Sequence, residues 1–192
     1  MVLVKEYGFD SEIYQTVAGY GKKILASREM KQNRKLPMHG NVSIYEHCFS
    51  VAYVALILSR KKEHEKPISE KELIYGALLH DFFLYDWHRH DSWHRLHGYR
   101  HPRFACQNAS ARFVLTAKEK DIILHHMFPL TIIPPLSREG WYVCLADKYC
   151  ARYEHKYRRP VIDLKRVLFE EEKERKNSLN KKPFLRRELR SV

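Results

Sequence analysis

Ser43-Ile44-Tyr45-Glu46-His47-Cys48-Phe49-Ser50-Val51-Ala52-Tyr53-Val54-Ala55-Leu56-Ile57-Leu58-Ser59-Arg60 decides the fold. Ser43 stands three residues before Glu46, the spacing at which a hydroxyl and a carboxylate cap a helix start reciprocally. Beyond the cap the segment is almost wholly apolar, and His47 shares a helical face with Val51, Val54 and Leu58, at spacings of 4, 7 and 11. Working outward, the same opening recurs. Ser69 with Glu72 starts a segment running to about Asp81, and Thr116 with Glu119 starts one running to about Met127. Ser137, just after Pro134-Pro135, starts a third that runs to about Tyr157. Two further helices are expected over Glu12 to Arg28 and His101 to Phe113. Alternating β-branched runs between turn signals are missing, so the expected fold class is all-α, a helical bundle with no sheet.

The chain has 192 residues, 44% of them hydrophobic, enough for one domain with a buried core and a terminal appendage. We expect a helical domain over residues 1–157 and a basic C-terminal helix or tail over 158–192. Between Lys156 and Arg190, 13 Lys/Arg stand against 6 Asp/Glu, so more than half of the net charge of +12 is concentrated in this C-terminal stretch. The longest uncharged apolar run, Val51 to Leu58, falls far short of the ~18 residues of a membrane span, so no membrane association is expected. The opening Met1-Val2-Leu3-Val4-Lys5-Glu6 lacks the pattern of a cleaved signal. Cys48, Cys106, Cys144 and Cys150 form no Cys-x-x-Cys pair, which excludes a zinc ribbon or a thioredoxin-like motif. Reduced thiols in a cytoplasmic protein are the expectation.

Twelve histidines draw attention to metal chemistry. His47, His80 and His126 fall on apolar faces of separate helices, and Asp81 follows His80 directly. Asp147 lies four residues after Val143 and four before Ala151, on an apolar face where a carboxylate is costly without a cationic partner. Taken singly, such a histidine is more often a hydrogen-bonded core residue than a ligand, and Asp147 can pair with Lys148 or Arg152. Taken jointly, they supply nitrogen and carboxylate donors without thiolate, a set suited to iron, manganese or zinc.

These residues resemble the HD superfamily of metal-dependent phosphohydrolases, whose signature is His…His-Asp…Asp on separate helices of an all-α domain. The matching residues are His47 in Tyr-Glu-His-Cys-Phe-Ser-Val-Ala, His80-Asp81 in Gly-Ala-Leu-Leu-His-Asp, and Asp147 in Leu-Ala-Asp-Lys. The resemblance covers about residues 38–155. Two further histidines, His101 and His126 (or its neighbour His125), match members that hold two metals. The resemblance implies that His47, His80, Asp81 and Asp147 bind one divalent cation and Asp81, His101 and His126 a second, with Asp81 bridging. Iron or manganese is favoured, with zinc or magnesium as alternatives. A metal-bridging hydroxide would then attack phosphorus in a phosphomonoester, phosphodiester or pyrophosphate. Arg103 and Lys148 are candidates to steady the developing charge, and His97, Arg100, Arg103 and Lys148 to bind substrate.

Departures from the family's branches narrow the substrate. The Glu-Asp that follows His-Asp in alarmone hydrolases is replaced by Leu84-Tyr85, and no Gly-Tyr-Pro follows His125-His126, as it does in cyclic-di-GMP phosphodiesterases. The single-metal deoxynucleotidases lack the two extra histidines. What remains is similar to the bimetallic branch that includes dinucleoside polyphosphate hydrolases, so the expected substrate is a small phosphate ester, first among them a nucleotide. Residues 82–100 are crowded with aromatics, and Trp87, Trp93 or Tyr99 can either stack a base or close the end of the bundle. His88, His90 and His94 lack ligand periodicity, and His39-Gly40 is a weaker candidate for the rim of the site. The rival expectation is a basic nucleic-acid-binding or regulatory metal-binding module without catalysis. Glu170, Glu171, Glu172 and Glu174 dilute the tail's charge and count against nucleic acid.

Overall fold

The computed structural model describes residues 9–64, 67–89, 92, 95–169 and 173. His90, Trp93, His94 and most of the tail, including Glu170, Glu171, Glu172 and Glu174, lie outside them. The chain divides into two compact units, Met1–Ile162 and Asp163–Val192. In the first, helices α1 (Ser11–Leu25) and α2 (Arg28–Gln32) lead into a short antiparallel hairpin of β1 (Pro37–His39) and β2 (Val42–Ser43). Among the described residues five more helices follow: α3 (Ile44–Arg60), α4 (Glu70–Leu79), α5 (His97–Arg112), α6 (Ala117–His125) and α7 (Arg138–Tyr157). In the second unit, residues 164–169 are helical and Asp163 Oδ1 accepts from the Arg166 amide at 3.1 Å.

Helix α3 is the axis of the bundle. Its apolar residues run around almost the whole circumference, and both its inner and outer flanks are buried, from Ile44 through Leu56. A helix apolar on all sides must be enclosed by others, and α3 packs most extensively against α7 and α4. Its start is fixed as the sequence predicts, since the Glu46 amide donates to Ser43 Oγ at 3.3 Å and the Ser43 amide to Glu46 Oε2 at 3.0 Å. Thr116 and Glu119 close the same box on α6. On α4, Gly76 lets α6 approach closely: a Cβ there would lie 2.6 Å from Ile122 Cγ2.

Two details depart from the expected fold. The hairpin is the first, small but consequential. Gly40 turns it with φ +63, a conformation that suits glycine, and the turn holds His39 against the start of α3. Helix α5 is the second, since it begins at His97 rather than His101. Pro102 lies inside it, where it forfeits one backbone bond without ending the helix. Among the described residues the four cysteines are unpaired, with Cys48, Cys144 and Cys150 buried. No described helix is long and apolar enough to cross a membrane.

Candidate metal centre

Four helices and the turn after α4 converge on one buried point. His47 comes from α3, His80 from the C-cap of α4, His101 from α5, His126 from the C-cap of α6 and Asp147 from α7, with Asp81 one residue beyond His80. All six are at least nine-tenths buried.

Each histidine is oriented from behind. Nδ1 of His80 donates to the Ala77 carbonyl at 2.7 Å, that of His101 to the His97 carbonyl at 3.0 Å, and that of His126 to the Ile123 carbonyl at 2.8 Å. His47 Nδ1 donates instead to the Glu154 carboxylate, at 2.8 Å. With Nδ1 holding the proton, every Nε2 presents a lone pair to the common centre, the orientation that metal-binding histidines require. His47 Nε2 lies 3.1 Å from Asp147 Oδ1, and His80 Nε2 3.3 Å from Asp81 Oδ2.

Asp81 divides its carboxylate between two groups. Oδ2 faces His80 and, at 3.7 Å, His47, while Oδ1 faces His101 at 3.1 Å and His126 at 3.7 Å. On one side, donor atoms of His47, His80 and Asp147 lie within 4.8 Å of one another, and on the other those of His80, Asp81 and His126 do so.

Three features show that the set fits divalent cations. Nε2 of His80 and Oδ1 of Asp81 are buried without a hydrogen bond. The Nε2 atoms of His101 and His126 face each other at 2.9 Å, an arrangement of two lone pairs that needs a cation or a shared proton between them. Finally, nitrogen with carboxylate oxygen and no thiolate is a donor chemistry for borderline and hard divalent ions.

The electrostatics without a cation point the same way. Burial opposes charge on His47, but Glu154 and Asp147 more than offset it and hold the imidazole well above its ordinary value. Burial likewise opposes charge on His80, which Asp81 holds well above the usual range. Burial raises Asp81 and Asp147, yet the neighbouring histidines outweigh it and hold both carboxyls well below their usual values. His126 is pushed down to about 3 by burial and by the neighbouring imidazoles of His80 and His101. Protons on His47 and His80 thus balance the buried carboxylates, and these are the protons a divalent cation displaces.

The other expected residues lie elsewhere. His125 is drawn off to Asp121, with Nδ1 2.6 Å from Oδ1, leaving His126 in the cluster. Asp147 meets His47 and His80 rather than Lys148, whose ammonium donates to the carbonyls of His126 and Cys144, both at 3.3 Å. Arg100 and Arg103 are exposed. With Tyr99, Phe104, Leu130 and Ile133 they line a cleft of about 800 Å³ beside α5 and α6. His97 is half-buried, stacked 4.6 Å from His101 and 5.2 Å from Trp87, with Tyr85 Oη 2.9 Å from its Nδ1. Phe82 and Phe83 are buried, so the first part of the aromatic segment closes the bundle. Sequence reasoning missed Glu154, fully buried behind His47 and seven residues beyond Asp147 on α7.

The family model described as HD domain matches residues 44–152, more than half of the chain. No curated protein and no solved structure matches it. With that match laid over a helical bundle whose histidines and aspartates meet in one buried cluster, the chain belongs to the HD-domain family, a superfamily of metal-dependent phosphohydrolases.

Proposed function

We propose that this chain hydrolyses a phosphate ester, with nucleotides as the leading substrates, using two divalent cations held by His47, His80, Asp81, His101, His126 and Asp147. The observation that carries this reading is the division of Asp81 between two histidine groups, since a carboxylate with one oxygen toward each is the natural bridge. A cation pair in such a set supplies a water acidified into the neutral range and a clamp for phosphate oxygens.

The residues of the chain do the rest. The carbonyls of Ala77, His97 and Ile123 and the Glu154 carboxylate fix the four rings, so little reorganisation accompanies reaction. Near-complete burial of the six residues excludes bulk water and strengthens every charge interaction at the centre. Arg100 and Arg103, exposed on the cleft beside α5, supply positive charge for an incoming anion, and Tyr99 offers an apolar ring face. Lys148 sits with its ammonium on the His126 carbonyl and steadies the end of α6 that presents His126.

The test is a panel assay. The chelator-stripped chain, reloaded with manganese or iron, is offered nucleoside monophosphates, dinucleoside polyphosphates and p-nitrophenyl phosphate. Hydrolysis that returns with the metal and is fastest on a nucleotide is expected. Metal loading without hydrolysis of any of them, as followed by chromatography of the products, overturns the reading.

A further inference from the structure

A second group of donors lies behind His47, on the side away from the six-residue cluster. It comprises His39 of β1, His47 and Glu154 of α7, with one donor atom of each within 4.8 Å of the other two. Glu154 is completely buried, and its two oxygens are unequal. Oε2 accepts from His47 Nδ1 at 2.8 Å, whereas Oε1 is buried with no hydrogen-bond partner. His39 Nδ1 is also buried without a partner. A carboxylate oxygen and an imidazole nitrogen, both out of water and both unsatisfied, are costly to leave so.

The surroundings offer a way in. The His39 ring stands between that of buried His47, at 5.5 Å, and that of His155, at 4.4 Å. His155 is exposed, so the His39 ring lies one ring away from solvent. The site shares His47 and Glu154 with the hydrolase reading but uses atoms which that reading leaves unused, His39 Nδ1 and Glu154 Oε1.

We propose that His39 and Glu154, against His47, form an accessory site for a divalent cation. The free nitrogen of His39 and the free carboxylate oxygen of Glu154, with water completing the shell, suit a borderline ion such as zinc, cobalt or manganese. The site satisfies the two orphaned atoms and places a cation at the end of Glu154 opposite to its hydrogen bond with His47.

Stoichiometry tests this on the full chain. Chelator-stripped protein is equilibrated with cobalt(II), and bound metal is counted by mass spectrometry in the wild type, in His39→Gln, in Asp81→Ala, and in the Asp81→Ala/His39→Gln double variant. Position 39 is a half-buried strand residue, so His39→Gln is expected to keep the helical circular dichroism. The accessory site predicts that His39→Gln binds one equivalent fewer than the wild type. It also predicts that Asp81→Ala, which removes the carboxylate shared by both histidine groups, keeps one equivalent, lost in the double variant. Equal cobalt in the wild type and His39→Gln overturns the proposal. That outcome leaves the hydrolase reading standing, because hydrolysis of the panel decides the latter. If Asp81→Ala does not fold, the wild type and His39→Gln alone decide the matter.

Discussion

His47 is gripped from both ends, with Asp147 at Nε2 and Glu154 at Nδ1. The carboxylate behind the ring fixes its tautomer and raises its basicity, and loss of such a partner weakens metal binding by roughly 10- to 100-fold. Glu154→Gln keeps the size and removes the charge, so we expect a loss of that order, measured by competition with a fluorescent chelator; wild-type affinity would contradict the role. Asp147 was legible in the sequence because a carboxylate flanked by Val143 and Ala151 has no business on an apolar face. Glu154 was not. It lies in Tyr153-Glu154-His155-Lys156, where charge on every side resembles a solvated surface, and only its spacing from Asp147 hinted otherwise. The choice between His125 and His126 rested on Ile122 and Ile123, both fully buried in the structure.

Helices with capping boxes were the easiest elements to read. Ser43–Glu46 and Thr116–Glu119 are local devices whose geometry depends on four consecutive residues. The hairpin escaped because strands of three and two residues are too short to show alternation. The start of α5 escaped because its N-cap, Leu96, makes no side-chain cap bond and is itself left-handed, with φ 59. Helix pairing is not local either, and Gly76 shows what it requires. An added methyl there would stand 2.6 Å from Ile122 Cγ2 and 2.8 Å from Ile122 Cβ, on the helix that carries His126. Gly76→Ala therefore forces α4 and α6 apart, at a cost of about 1–3 kcal/mol for an overpacked core. Denaturant unfolding should show a lower midpoint and the metal-loaded chain a weaker grip on its ions. A midpoint equal to the wild type's would contradict the close approach.

At the scale of the molecule, the net charge of +12 proved less informative than the histidines, because the residues that meet in the core come from five separated segments of the chain. Their chemistry sets a pH dependence. His126 sits at about 3 against an ordinary 6.5. Between those values the unfolded chain holds a proton that the folded chain lacks. The stability His126 contributes is therefore complete above pH 6.5 and declines as the pH falls toward 3. His47 and His80 run the other way without metal. Their raised values give stability that is complete below 6.5 and lost as the pH rises through those values. A bound cation needs all four Nε2 atoms free of protons and removes that opposing trend. The unfolding midpoint of the metal-loaded chain should therefore drop more between pH 7 and pH 5 than that of the stripped chain, and equal drops would contradict it. The most direct test of the central claim is metal content measured together with hydrolysis of the substrate panel in Asp81→Ala. Asp81 stands between both histidine groups, so the variant should lose the cluster's metal and all metal-dependent hydrolysis while keeping its helical circular dichroism. Full retention of either the metal or the hydrolysis would contradict the account.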